Sequence, residues 1–167
     1  MPTLTLRNGQ VVLFDEIDKP LVESRKWHQN KAGYVVTSVH VPATETKPKS
    51  AKKVFLHRLI AATAFALETD HRNGDRLVNT RENLRPATKS QNQGNQKVRT
   101  SGKTSKFKGV SWYRRRSRWH AQLRTSVDGH VKQCHLGYFE DEEGAARAYD
   151  MAARRYFGEF ARTNFAQ

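Results

Sequence analysis

The stretch RWHAQLR (118–124) alternates strictly: Trp119, Ala121 and Leu123 fall on one face, Arg118, His120, Gln122 and Arg124 on the other. A period of two describes a strand with one face for a core and one for solvent or a partner. FKGVSWYRR (107–115) and VKQCHLGYF (131–139) read as neighbouring strands. The first joins the middle strand across Arg116–Ser117. The second is joined by VDGH, whose Asp128–Gly129 suits a two-residue hairpin. DEEGAARAYDMAARRYFG (141–158) then reads as a helix. Asp141 is the N-cap, Glu142 and Glu143 suit the positive end, Arg154 and Arg155 the negative end, and Gly158 a left-handed residue beyond it. A stripe of Ala145, Tyr149, Ala152 and Tyr156, flanked by Ala146, Ala153 and Phe157, would cover the apolar sheet face. The expectation is a three-stranded antiparallel sheet backed by one helix, with its arginine-rich face left open.

Charge says what that open face would meet. Thirty Lys and Arg oppose sixteen Asp and Glu, a net charge of +14. No acidic residue occurs between Asn83 and Val127, whereas Arg85, Lys89, Lys97, Lys108, Arg114, Arg116, Arg118 and Arg124 all fall there. A solvated surface mixes signs; a block purged of acids is a track for phosphates. Arg118, Gln122 and Arg124 on a small sheet suit the major groove, where Arg pairs with guanine and Gln with adenine. The partner expected is double-stranded DNA, bound by a monomer, with no small-molecule substrate and no membrane.

The single cysteine, Cys134, excludes a disulfide framework and a cysteine-rich zinc site, and its mid-strand position reads as a small core residue. No apolar run approaches the roughly 20 residues that span a bilayer, and MPTLTLRNGQ has no signal-peptide core. A cytoplasmic protein, of a bacterial or phage-infected cell, is the expectation.

The first half has different grammar. LTL, VVLF, YVVTSVHV and KVFL are short apolar bursts around a turn at KAGY, so they read as hairpin strands. PATETKPKSAKK (42–53) is a polar loop. FLHRLIAATAFAL (55–67) has helical spacing, NLRPAT suits an edge strand, and KSQNQGNQ suits a polar helix capped by Thr88. KVRTSGKTSK (97–106) has linker composition, which divides the chain into 1–96, a basic linker 97–106, and 107–167. The fold class is α+β.

TDHRNGDRLVNTRENLR (69–85) puts a carboxylate and an imidazole on adjacent residues, Asp70 and His71, before an NGD turn. Hydrolysis of a phosphodiester needs a base near neutral pH, for which imidazole is suited. It also needs stabilisation of the leaving oxygen, for which a divalent metal on oxygen ligands is suited. From these residues alone the segment reads either as a structural polar loop or as part of an active site.

Spacing supplies two resemblances. LHRLI (56–60) followed by DHRNGDRLVNTRENLRPATKSQN (70–92) resembles the HNH homing endonucleases, of the ββα-metal fold, in the variant whose third motif residue is Asn. Asp70, His71, Asn73, Gly74, Asp75, Asn79, Arg81, Asn83, Leu84, Arg85, Thr88 and Asn92 occupy that pattern; Arg72 and Val78 depart from it. The resemblance implies that Asp70 and Asn92 ligate one Mg²⁺ (or Mn²⁺) and that His71 is the general base. Asn83 would hold the hairpin and orient His71, with Arg72, Arg81 and Arg85 at backbone phosphates. His57 is expected to be a buried, hydrogen-bonding histidine.

The segments KGV, WHAQLR, LGYF, EGAARAYDMAA and GEFARTNF (108–165) resemble the ethylene-response-factor (APETALA-type) DNA-binding domain. That resemblance implies DNA contacts from Arg114, Arg116, Arg118, Gln122, Arg124, Gln133 and His135. Gln122 and His135 stand where Glu and Trp are common. Together they imply a metal-dependent, site-specific homing endonuclease; the competing class is a DNA-binding regulator with an inert nuclease module.

Overall fold

The computed structural model describes residues 1–43, 50–97, 104–127 and 130–166, and the chain packs as two units, Met1–Pro86 and Ala87–Gln167. Residues 44–49 of the polar loop, 98–103 of the linker and the Asp128–Gly129 turn lie outside the described residues.

In the first unit, β1 (Thr3–Thr5) and β2 (Val11–Leu13) pair antiparallel, and α1 (Lys19–Glu23) follows with Pro20 in its first turn. β3 (His28–Gln29), β4 (Val35–Val41) and β5 (Ser50–Phe55) form an antiparallel sheet in that order. The expected turn at KAGY is there, with Gly33 at φ 86° and its N–H on the Asn30 carbonyl. Leu6, Val12, Phe14, Val22, Trp27, Val35, Leu56, Ile60 and Leu84 make the core.

α2 (Leu56–Ala61) is much shorter than the helix expected over 55–67. Ala62 turns left-handed at φ 46°, the Thr63 hydroxyl meets that of Thr69 at 2.7 Å, and Arg58 Nη2 donates to the Leu67 carbonyl at 3.1 Å. Side-chain bonds to the following segment thus replace the intrahelical ladder, a tertiary override of a favourable helical pattern. β6 (Glu68–His71) and β7 (Leu84–Ala87) then form a two-stranded hairpin, and NLRPAT is a strand as expected.

The second unit begins at Ala87. α3 (Lys89–Asn95) starts at Thr88 with a reciprocal cap: Gln91 N–H donates to Thr88 Oγ1 at 3.2 Å, and Thr88 N–H to Gln91 Oε1 at 2.8 Å. β8 (Val110–Tyr113), β9 (Arg118–Val127) and β10 (His130–Phe139) form the antiparallel sheet with β9 central. α4 (Glu142–Phe157) packs on it, capped by Asp141, whose Oδ1 accepts from Gly144 N–H at 2.6 Å.

Three details differ from expectation. The buried face of α4 is Ala145, Ala146, Tyr149, Ala153 and Phe157, whereas Tyr156 is exposed, so the helix is rolled toward its Ala146–Ala153 side. Gly158 has φ 54° with ψ −128°, outside the left-handed helical basin. Cys134 is exposed rather than core, because β10 is an edge strand whose outer portion extends beyond cover.

Gly109 sets the spacing of sheet and helix. At φ 76°, a Cβ there would lie 2.0 Å from Tyr149 Cδ2 and 2.7 Å from the Gln122 carbonyl oxygen. Asp150, 3% exposed, accepts from the N–H groups of Asn164 (2.8 Å) and Phe165 (3.0 Å), while Asn164 Oδ1 accepts from Lys108 N–H at 2.6 Å. The C-terminal segment is thereby tied to the entry of β8. No helix among the described residues is long and apolar enough to cross a membrane.

Gly109→Ala should cost more than Gly158→Ala, whose Cβ would meet nothing within 4 Å. Gly158→Ala carries backbone strain of about 1–3 kcal/mol, and Gly109→Ala carries that plus overpacking of about 1–3 kcal/mol more. Urea unfolding of the two variants checks the order.

Candidate active site and nucleic-acid interface

β6 ends at His71, and the hairpin loop folds back at once. Gly74 N–H donates to the His71 carbonyl at 2.8 Å with Gly74 at φ 69°, and Asp75 N–H donates to Asn73 Oδ1 at 2.8 Å. Asn83 locks the two sides. Its Oδ1 accepts from Asn73 N–H at 3.1 Å, its Nδ2 donates to the Val78 carbonyl at 2.7 Å, and its carbonyl accepts from Arg72 N–H at 2.8 Å. The loop is also stitched to β2: Leu13 N–H donates to Leu77 O and Asn79 N–H to Leu13 O.

Those bonds deliver Asn79 to His71. Asn79 Nδ2 donates to the Arg76 carbonyl at 3.1 Å, so Oδ1 faces His71 Nε2 at 3.3 Å. An acceptor at that place puts the proton on Nε2 and makes Nδ1 the basic nitrogen. Asn83, expected to hold the hairpin and orient His71, bonds across the hairpin, and Asn79 bonds to the imidazole. The signal was available, because Asn79 stands in the motif.

His71, 5% exposed, lies in an aromatic box. Its ring centroid is 5.1 Å from His57 and 6.3 Å from Tyr34, and Arg76 sits 4.3 Å over the Tyr34 ring. Burial lowers the His71 pKa, partly opposed by the Asn79 bond and the Asp70 carboxylate, so the ring is neutral at pH 7. His57, buried as expected, is lowered to about 3 by burial and by His71, and it adds no charge beside the candidate base.

Asp70 is 4% exposed and its Oδ2 accepts from Arg85 Nε at 2.9 Å, a buried ion pair. Arg85, 6% exposed, is therefore core rather than the phosphate contact the sequence suggested. Arg81 too is occupied. Its Nε and Nη2 clamp Asp18 at 3.0 and 2.6 Å, which raises its pKa, and its backbone N–H donates to Asp15 Oδ2 at 2.7 Å. Arg72 and Arg81 are both exposed, and Arg72 directly follows the end of β6. Asn92 lies half-buried in α3, with its N–H on the Thr88 carbonyl at 3.0 Å.

Among the described residues, no group of three or more His, Cys, Asp or Glu is placed to hold a metal. A cation at Asp70 would accordingly depend on one carboxylate plus amide, water and phosphate oxygens. That donor chemistry fits Mg²⁺, which keeps several waters, and does not resemble a zinc site.

The second unit presents the other surface. Register places Gln122 opposite His135 and Arg124 opposite Gln133, with a bulge between His135 and Gly137 that brings Tyr138 opposite His120. Arg118, His120, Gln122, Arg124, Gln133 and His135 thus share one face, the four of β9 as alternation predicted and the two of β10 by register. Arg114 and Arg116 lie in the exposed 3₁₀ turn that joins β8 to β9. Gln133 Nε2 donates to Gln122 Oε1; Arg118 pairs with Glu140 at 2.8 Å; Arg116 lies 4.6 Å over the Tyr138 ring. His120 Nε2 and His135 Nδ1 are 2.7 Å apart in stacked rings, and burial, then His135, lowers the His120 pKa. The sequence reading assigned His120 to this face but missed the pair, which follows once hairpin register is fixed.

The likeness of the two halves can now be stated. Residues 105–159 match the AP2 domain. The Arabidopsis thaliana AP2-like ethylene-responsive transcription factor ANT is 40% identical over 70 residues, 38% of this chain and 13% of that protein. A rice (Oryza sativa subsp. japonica) AP2/ERF and B3 domain-containing protein is 48% identical over 62 residues, 16% of its length. The chain thus spans a small part of these plant relatives. An uncharacterised HNH endonuclease of Acanthamoeba polyphaga mimivirus is 29% identical over 165 residues, 97% of this chain and 79% of that protein.

The histidine burial carries a pH dependence. Above pH 6.5 His57 is neutral folded and unfolded, and its environment costs nothing. Below 6.5 the unfolded chain takes up a proton that the folded chain refuses until about pH 3. Stability should therefore fall on acidification by up to about 1.4 kcal/mol per pH unit from this group. His57→Gln should flatten that slope by about one proton in urea titrations between pH 4.5 and 7.

Proposed function

We propose that this chain is a metal-dependent, site-specific DNA endonuclease of the homing type, with the AP2 domain binding double-stranded DNA. The observation that carries the reading is His71, kept neutral by burial and bonded through Nε2 to Asn79 so that Nδ1 is the basic nitrogen, beside the carboxylate of Asp70. The mimivirus relative, named an HNH endonuclease, aligns along nearly the whole chain.

In the reaction, His71 Nδ1 takes a proton from water as its oxygen bonds to phosphorus. The bond from phosphorus to the 3′ oxygen breaks with its electron pair leaving on that oxygen, which takes a proton from solvent water, while His71 returns its proton to solvent; the ends are 5′-phosphate and 3′-hydroxyl. Asn79 holds the imidazole through Nε2–H, so protonation at Nδ1 costs no reorientation. Asp70 and Asn92 are the proposed ligands of one Mg²⁺ (or Mn²⁺), which when bound supplies charge stabilisation at the leaving oxygen. Arg72 is the proposed phosphate contact of this half. In the AP2 domain, Arg118, Gln122, Arg124, Gln133 and His135 are the proposed base readers, with Arg114 and Arg116 on phosphates.

A second reading has its own observation. The Asp70–Arg85 ion pair places a cation beside the carboxylate already, as a DNA-binding regulator with an inert first unit would tolerate. Supercoiled plasmid separates the two. With Mg²⁺ the protein should nick it, and His71→Ala should lower the rate by about 10²-fold or more while DNA binding persists. Asn79→Ala should fall in between. Binding without strand breaks in Mg²⁺ or Mn²⁺ would leave the regulator.

A further inference from the structure

The DNA-binding unit is larger than its AP2 domain, because α3 is built into it. The α-carbon of Gly94 lies against α4 so closely that a Cβ would sit 2.7 Å from the Phe157 ring. The Gly94 carbonyl accepts from Arg162 N–H at 3.2 Å and from Lys108 Nζ. Ser126 N–H donates to Ser90 Oγ at 3.2 Å, which fastens the start of α3 to β9.

Between α3 and β9 these contacts leave an open cleft of about 500 Å³. Its rim carries Gln96, Lys97 and Arg124, its floor Tyr149 and Phe157, and Lys108 lies within it. Among the described residues that line it, three are cations and none is a carboxylate, and Gln122 and Arg124 belong also to the base-reading face. Gln96, Lys97 and Arg124 are exposed, whereas the backbone of Lys108 is fixed on both sides by the Asn164 amide.

We infer that this cleft binds the DNA backbone, Lys97 gripping a phosphate beside the base reader Arg124, so that α3 extends the footprint of the AP2 sheet. The inference rests on the DNA-binding reading above. The occupant is a strand of the duplex on β9, because the cleft shares Arg124 with that face and the charged residues described in its lining, Lys97, Lys108 and Arg124, are all cations. A backbone contact adds affinity and salt dependence without adding base preference.

The test is fluorescence anisotropy of the full chain with a labelled duplex selected from random sequence by the wild type. Metal is omitted and salt varied from 50 to about 200 mM, the range over which phosphate contacts separate. Lys97→Gln should weaken binding several-fold and lower the slope of log K against log salt by about 0.9, the value of one phosphate contact. Gln96→Glu should weaken it further. Arg155→Gln, the same charge change on the exposed side of α4, should leave the slope unchanged, and all variants should select the wild-type motif. Equal slopes for Lys97→Gln and wild type, or an equal effect of Arg155→Gln, would overturn the inference alone. A wild type that binds no duplex would overturn the DNA-binding reading with it.

Discussion

The Asn83 amide is the interaction on which the first unit's chemistry depends. It closes the β6–β7 hairpin by accepting from Asn73 N–H and donating to the Val78 carbonyl. Residues 77–79 are thereby presented to β2, and Asn79 to His71. A hairpin loop with this many polar groups would gain little from apolar burial. It is held instead by amide hydrogen bonds that are each worth about 1 kcal/mol but leave a costly orphan when one partner is lost. Neutral His57 and the Tyr34 ring lie beside the imidazole, so the repulsion that helps lower its pKa comes from Arg76, over the Tyr34 ring, and not from His57.

The second unit solves the opposite problem. Its sheet must be covered on one face and bare on the other. Small alanines on α4 and the absent side chain of Gly109 bring helix and sheet together, while the uncovered face collects Arg118, His120, Gln122 and Arg124. The hydrogen bond from Gln133 to Gln122, and the histidine pair beside it, order that face before any DNA arrives. Pre-ordered side chains lose less freedom on binding, which is where affinity is otherwise spent.

Much of this was legible in the sequence because it rests on local rules. Alternation in RWHAQLR gave the faces of β9, and Thr88 and Asp141 announced the helices they cap. What escaped depended on tertiary contacts. The 55–67 pattern ends early because Thr63 and Arg58 bond to the segment that follows. Arg85 looks like a phosphate ligand until its burial against Asp70 is seen, and Arg81 until Asp18 is found 63 residues away in the chain. Cys134 read as core because alternation reports which face a residue occupies and not how far the covering helix extends. The attachment of α3 to α4 turns on Gly94, whose role appears only when Phe157 is placed beside it.

One chain is proposed both to read DNA and to break it at His71. Footprinting and strand-break mapping on one end-labelled duplex test this together. Wild type with Mg²⁺ should protect a short segment and leave a break at a constant position beside it, with 5′-phosphate and 3′-hydroxyl ends. His71→Ala should give the same protection and no break. Breaks that persist in His71→Ala, or that scatter without relation to the protected bases, would contradict the account.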